Sequence, residues 1–162
     1  MAELIDSGKK RDFGTGAHRD AAEGKGRCDL LPLYEAALVL DNDPVLLAME
    51  KFYQKRNICC LLDVISVAVK TMPHFGGSGA TFLLEASHQY EDGAKKYGEN
   101  NWKNGIPLDV YIDSGVRHYL KAIRGDADEP HHRAFAWNML GALWTLRHSG
   151  VNEKKLDNRA NH

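Results

Sequence analysis

From Leu30 onward, apolar residues recur every three to four positions, and this helical spacing limits the fold more than any other feature of the chain. It predicts helices near 31–40, 44–56, 58–71, 80–97, 108–124 and 129–148. Proline, glycine and Asp/Asn turns separate these segments. Asp43 before Pro44 and Asp128 before Pro130 are the expected N-caps. Because no convincing run alternates with period two, we predict an all-α helical bundle of about five or six helices.

The first 29 residues lack this pattern and carry a local excess of positive charge. Between Lys9 and Arg27 there are six Lys/Arg against three acids, interspersed with glycines. Glycine at this density disfavours a helix but lets backbone N–H groups approach a ligand. Composition leaves open a disordered arm and a ligand-binding arm. We expect one domain, 1–162, with a glycine-rich irregular N-terminal arm (1–29), a helical bundle (30–150) and a tail (151–162).

Charge and composition exclude several classes of function. The net charge is −1, so no global field favours stable nucleic-acid binding or an anionic membrane. No apolar run approaches the roughly 18–20 residues that span a bilayer. Three cysteines, two of them adjacent, form neither a disulfide framework nor a CxxC zinc motif. We therefore expect a cytoplasmic protein without a membrane partner.

The last predicted helix is apolar around almost its whole circumference, which is typical of a central, buried helix. One polar stripe remains on it, formed by His131, Asn138 and Thr145 at i, i+7 and i+14. Small residues flank this stripe, as they would a cavity that holds ligand or water. Buried groups that satisfy one another's hydrogen bonds would give the same pattern. The sequence leaves both interpretations open.

The segment from Tyr90 to Trp102 concentrates hydrogen-bonding side chains beside large aromatic residues at a helix end, which suits a flat, phosphorylated ligand. Projection of the helix places Glu91 and Lys95 beside its apolar stripe, whereas Glu85 and Asp92 point further into solvent. Glu91 is therefore the predicted site carboxylate of this helix.

In the next helix, Asp113 and Arg117 are spaced i, i+4 along one edge of the apolar stripe. At a pocket rim, Arg117 could bind a phosphate through two parallel hydrogen bonds. His118 projects almost opposite the stripe, so we expect it on the surface unless another element covers that face.

Acids and imidazoles cluster where the last helix begins, at Asp126, Asp128, Glu129, His131 and His132. Acidic residues there also complement the helix dipole. Carboxylate and imidazole together are ligands for a hard or borderline divalent cation. Carboxylates from facing helices could form a metal site inside the bundle, and the candidates are Glu91, Asp113, Asp128 and Glu129.

Two sets of motifs, over roughly 8–33 and 85–145, resemble the bacteriophage dATP/dGTP diphosphohydrolase family, an all-helical group related to the MazG-type nucleotide pyrophosphohydrolases. The first set includes Arg11-Asp12-Phe13-Gly14-Thr15-Gly16 and Gly24-Lys25-Gly26-Arg27-Cys28-Asp29. The second includes Tyr90-Glu91, Lys95-Lys96-Tyr97-Gly98, Asn101-Trp102, Arg117-His118, Asp128-Glu129-Pro130-His131 and Trp137-Asn138. The ExxE and ExxD signature of MazG proteins is not visible, so metal ligands are assigned from this chain's own acids.

The resemblance implies metal-dependent hydrolysis of dGTP, with dATP as a further substrate, to the monophosphate and pyrophosphate. Mg²⁺ is the expected cofactor, with Mn²⁺ or Co²⁺ as alternatives. In phages that use 2-aminoadenine, the dGMP would supply synthesis of the modified nucleotide, in the host cytoplasm. The resemblance also implies a homo-oligomer, dimer or tetramer. The apolar residues of 44–71 could form a dimer contact or an intramolecular core.

Under this hypothesis the site residues have three roles. The catalytic set is Glu91, Lys95, Glu129 and His131. The metal set is Glu91, Asp113, Asp128 and Glu129. The substrate-binding set is Arg19, Lys25, Arg27, Lys96, Tyr97, Asn101, Trp102, Arg117 and Asn138, in which Tyr97 or Trp102 stacks on the base and Asn101 recognises its edge.

Two alternatives remain. A triphosphohydrolase of the HD type would need an adjacent His-Asp pair, which the sequence lacks. A non-catalytic nucleotide-binding phage protein would bind a deoxynucleoside triphosphate without turnover.

Overall fold

A computed structural model of the protein describes residues 10–20 and 23–148, apart from the side chains of His18 and Asp20. Six α-helices make up most of the described chain, as the sequence predicts. They are α1 (Leu33–Val39), α2 (Pro44–Lys55), α3 (Ile58–Thr71), α4 (Gly79–Tyr97), α5 (Leu108–Arg124) and α6 (His131–His148). Short 3₁₀ turns lie at Cys28–Leu30, Pro73–Phe75 and Asn101–Asn104. The predicted all-α bundle is confirmed.

Side-chain caps explain where several helices begin. Asp43 accepts a hydrogen bond from the Leu46 N–H at 2.9 Å, so its predicted role as the α2 cap is confirmed. Asn57 caps α3 through the Cys60 N–H at 2.8 Å. Ser78 caps α4 through the Thr81 N–H at 3.2 Å. Each cap satisfies an N–H that the helix itself leaves unpaired.

Helix α6 is the centre of the bundle. It packs against α5 and α4 and also contacts α3, while α2 packs between α1 and α3. Phe135, Ala136, Met139 and Ala142 of α6 are fully buried. The prediction of a buried central helix from its apolar circumference is therefore confirmed.

The N-terminal arm is not irregular throughout, which corrects the sequence prediction for residues 10–20. Strands β1 (Lys10–Asp12) and β2 (His18–Asp20) form a short antiparallel hairpin. Gly14 and Gly16 take positive φ angles in its turn, and the Gly14 N–H donates to Asp12 Oδ1 at 2.7 Å. Thr15 donates to the Gly105 carbonyl at 2.6 Å, which joins the hairpin to the loop before α5. Residues 1–9 and the tail from 151 lie outside the described residues.

Much of the apolar content of 44–71 belongs to the core of the chain itself. Val45, Leu46, Leu61 and Val64 are fully buried. The interpretation of these four residues as intramolecular core is confirmed, whereas Leu62 remains half exposed. A homo-oligomer stays a prediction. Among the described residues, no helix combines the length and apolarity that crossing a membrane requires.

Substitution of Gly141 should destabilise the α5–α6 contact. A Cβ at Gly141 would lie 2.7 Å from Cζ of Tyr111 and 2.8 Å from its hydroxyl oxygen, inside the buried ring. We expect Gly141→Ala to lower the free energy of unfolding by about 1–3 kcal/mol, because the overpacked ring must move. Gly93→Ala in α4 is the matched control. A Cβ there meets nothing within 4 Å, so the change should stabilise by about 0.4–1 kcal/mol. Urea denaturation of both variants measures this, and equal effects would contradict the packing argument.

Candidate functional site

The polar stripe predicted on α6 lies against polar residues of α5, and we call this line of contacts the α5–α6 seam. At one end the Nδ1 atoms of His118 and His131 lie 2.9 Å apart. One step along, Asn138 Nδ2 donates to Ser114 Oγ at 3.2 Å and to the Ala134 carbonyl at 2.7 Å. Asn138 thus fits the interpretation of buried, mutually satisfied hydrogen bonds.

Arg19 of the hairpin inserts its guanidinium into this seam. Its Nη1 donates to Asn138 Oδ1 and its Nη2 to Ser114 Oγ, each at 3.1 Å. The same group lies over the Trp137 ring, 5.0 Å from the centroid. Burial lowers the pKa of Arg19. Its hydrogen-bond partners within the described residues are neutral, so the buried positive charge has no carboxylate against it in that part of the chain.

At the start of α6, His118, Asp128, Glu129 and His131 form an acid–imidazole cluster. His131 Nε2 lies 2.7 Å from Asp128 Oδ1. Glu129 Oε1 lies 3.5 Å from His131 Nδ1 and 3.6 Å from His118 Nδ1. His131 is almost fully buried, and the side chains of His118 and Glu129 are each 14% exposed. The prediction of Asp128 as the N-cap is wrong, because α6 begins three residues later, at His131. The carboxylate of Asp128 lies against the imidazole of His131, which lowers the pKa of Asp128.

His118 does not lie on the surface, because another element covers its face of α5, which is the exception that the sequence analysis allowed. The first turn of α6 and Glu129 cover the face of α5 on which it lies. Burial, and then the neighbouring His131, lower the pKa of His118 well below its ordinary value, so the ring is neutral near pH 7. The sequence held one signal for this position. Ser114 and His118 are spaced i, i+4 and so form a polar stripe on α5 that can face the polar stripe of α6.

Two groups of side chains place possible metal-ligand atoms close together within the described residues. One is His118, Glu129 and His131, and the other is Asp126, Asp128 and His131. In the second group Asp126 already receives two hydrogen bonds from Arg124, which lower the pKa of Asp126. Asp128 and Glu129 of the predicted metal set thus lie together, joined by two histidines.

Asp113, also in the predicted metal set, binds the arm. Its Oδ1 accepts from the Cys28 N–H at 2.7 Å and its Oδ2 from Arg117 Nη2 at 2.6 Å. Arg117 Nη2 also donates to the Gly26 carbonyl at 2.7 Å. The i, i+4 pair that the sequence predicts is present but buried. The pair joins the segment 26–28 to α5. Asp113 and Arg117 therefore bind other protein groups and do not lie at the open rim of a pocket.

The exposure of Glu91 and Glu85 is the reverse of that expected from projection of the helix. The Glu91 side chain is 63% exposed and lies 3.8 Å from Lys95 Nζ, also an exposed side chain. Glu85 is partly buried, and its Oε2 accepts from His132 Nε2 and Arg133 Nε at 2.7 Å each. The structure therefore does not bring Glu91 and Lys95 into the acid–imidazole cluster.

The residues predicted to bind the base lie around the end of α4. Lys10 and Lys96 approach the Tyr97 ring, at 5.7 and 5.3 Å from its centroid. Trp102 packs edge-on against Tyr90 and Trp144, and Asn101 is buried. Their predicted roles towards a base stay predictions.

Of the other two predicted arm residues, Lys25 is exposed, while Arg27 donates through Nε and Nη2 to both oxygens of Asp29 at 2.7 Å. Arg27 and Asp29 thus form a bidentate pair of guanidinium and carboxylate.

The chain is thus an all-α helical protein with acids and imidazoles at the start of α6 and a buried arginine further along the seam, and such groups can bind phosphate and a cation. A family model described as dATP/dGTP diphosphohydrolase, N-terminal, matches residues 74–158, just over half of the chain and all of α4 to α6. The chain belongs to this family and is an enzyme that acts on nucleoside triphosphates. No significant match was found among curated proteins or among solved structures.

Proposed function

We propose that the protein hydrolyses dGTP, and dATP as a further substrate, to the monophosphate and pyrophosphate with the help of a divalent cation. The family supports the reaction class. The observation that carries the proposal is the charge distribution along the α5–α6 seam. The buried guanidinium of Arg19 binds the neutral side chains of Asn138 and Ser114. The carboxylate of Glu129 lies at His131, at the end of the seam where α6 begins. A triphosphate with its cation requires this pairing of positive and negative groups.

In this proposal the cationic residues bind phosphate and the acidic residue binds the cation. Arg19 would donate hydrogen bonds to a phosphate oxygen instead of to Asn138 and Ser114, because hydrogen bonds to a charged acceptor are stronger than those to a neutral one. Lys10 and Lys96 lie close to Tyr97, where cations could balance further phosphate charge beside a stacked base. A divalent cation would neutralise phosphate oxygens and make water a better nucleophile. Glu129 would hold the cation and orient that water.

In this reaction water attacks the α-phosphorus, and the bond to the oxygen that bridges to the β-phosphorus breaks. The deoxynucleoside monophosphate retains the new oxygen, and pyrophosphate leaves with the bridging one. The dGMP would serve synthesis of a modified nucleotide in a phage-infected cell.

The test is to incubate the whole chain with dGTP or dATP and Mg²⁺, Mn²⁺ or Co²⁺, and to identify products by anion-exchange chromatography. We expect equal amounts of monophosphate and pyrophosphate. Tripolyphosphate or inorganic phosphate as the primary product would overturn the proposal. Tight binding of dGTP without turnover under all three cations would favour the non-catalytic alternative.

A milder prediction concerns Arg19. Arg19→Lys keeps the charge but loses the planar fork that bonds Asn138 and Ser114, so we expect about a tenfold rise in KM for dGTP. Lys70→Arg, at an exposed position of α3, is the matched control for exchange of the two cations. Steady-state kinetics of both variants decide this, and an unchanged KM in Arg19→Lys would contradict a phosphate contact.

A further inference from the structure

We infer that His118 Nδ1, His131 Nδ1 and Glu129 Oε1 form a three-ligand site for one divalent transition-metal ion. Asp128 supports this site by fixing the orientation of His131. The inference rests on the proposed function and deepens it, because it names the ligands and the class of the cation.

The three donor atoms have the spacing that a small divalent ion needs. They lie 2.9, 3.5 and 3.6 Å from one another. Ligands about 2.1 Å from an ion lie about 3.0–3.5 Å apart in octahedral or tetrahedral coordination. An ion would therefore fit between these atoms with little movement of the helices that carry them.

The hydrogen bond between His131 and Asp128 prepares one of the donors. An ionised carboxylate only accepts hydrogen bonds, so Nε2 of His131 carries the proton and donates to Asp128 Oδ1 at 2.7 Å. In the neutral ring this leaves a lone pair on Nδ1, pointing at His118 and Glu129. A carboxylate behind a metal-binding histidine is a common outer-sphere partner, since it fixes the tautomer and raises the basicity of the ring.

The two imidazole nitrogens otherwise face each other, so one of them must hold a proton to avoid repulsion of two lone pairs. An ion at this site would take the place of that proton once His118 carries its own proton on Nε2. In the described part of the chain the ion-pair partners of Glu129 are the two histidines, and no lysine or arginine pairs with it. Its charge is thus available to an ion.

The composition of the site selects the metal. Two imidazoles and one carboxylate suit Mn²⁺, Fe²⁺, Co²⁺ or Zn²⁺ better than Mg²⁺, which prefers oxygen ligands. Three protein ligands also leave positions for water and phosphate oxygens. Glu129 belongs to the metal set predicted from sequence and His131 to the predicted cluster of acids and imidazoles, whereas His118 as a ligand comes from the structure.

The experiment titrates the metal-free whole chain with Co²⁺ in the absence of nucleotide, and follows the visible absorption of bound Co²⁺. We expect one ion per chain, which excess Mg²⁺ does not displace. His118→Gln and Glu129→Gln should weaken Co²⁺ binding at least tenfold, and Asp128→Asn by about 10–100-fold. His148→Gln, at the exposed end of α6, is the matched control and should bind as the unmodified chain does.

Circular dichroism of each metal-free variant checks that it is folded. If a variant does not fold, a Co²⁺-soaked crystal of the unmodified chain decides, because its anomalous peak should lie within coordination distance of His118 Nδ1 and Glu129 Oε1. A peak elsewhere, no saturable binding, or unchanged affinity in both ligand variants would overturn the inference.

These outcomes separate the two proposals. A chain that binds Co²⁺ at the three ligands but releases no pyrophosphate supports the site and overturns the proposed function. A chain that hydrolyses dGTP, yet binds Co²⁺ equally well in all variants, overturns the site alone.

Discussion

Glu129→Gln should lower the rate of pyrophosphate release from dGTP at least about a hundredfold. The amide has nearly the same size as the carboxylate, so packing against His118 and His131 changes little. What disappears is the negative charge that lies 3.5–3.6 Å from both imidazoles. Among the described residues no other acidic group is grouped with both rings, so under the proposed function the triphosphate would lose its counter-ion. Initial rates with saturating dGTP and each cation measure the loss.

Glu35→Gln is the matched control, since Glu35 is exposed on α1 and makes the same change of charge. We expect it to retain the activity of the unmodified chain. Thermal unfolding of both variants should show that each is folded at the assay temperature. A Glu129→Gln variant that is folded and as active as the control would remove Glu129 from the reaction.

The helices were predictable because their signals are local. The α3 prediction, 58–71, and the α5 prediction, 108–124, have the observed bounds, since periodic apolar residues, caps and glycine or proline turns define both ends. The hairpin of the arm was not predictable in this way. Its strands have three residues each, too few for an alternating pattern, and tertiary contacts such as that of Thr15 with the Gly105 carbonyl hold it.

The site was only partly predictable because projection of one helix shows its own apolar stripe and not what covers the other faces. Asp128, Glu129 and His131 were found together because they are neighbours in sequence. His118 was missed because the start of α6 covers it. Glu85 and Glu91 exchanged their expected environments for the same reason, since His132 and Arg133 of α6 cover Glu85.

Asp113, predicted from sequence as a metal ligand, has partners within the protein, Arg117 and the Cys28 N–H. Asp113→Ala should lower the free energy of unfolding by about 3–5 kcal/mol, because Arg117 would remain buried without its counter-charge. The pair is well covered, with 10% and 6% of the two side chains exposed. The Cys28 N–H would also lose its acceptor at 2.7 Å. Urea denaturation measures the loss.

Two further variants separate the cause of this loss. Asp63→Ala removes an exposed aspartate from α3 and should change stability little. The double change Asp113→Asn with Arg117→Met removes both charges, and it should recover part of the stability because no unpaired charge remains.

The affinity for Co²⁺ shows whether Asp113 has a structural role or binds the metal. If Asp113 only fastens the arm, folded Asp113→Ala binds Co²⁺ as the unmodified chain does. Weaker Co²⁺ binding together with unchanged stability would instead make Asp113 a metal ligand, as the sequence predicted.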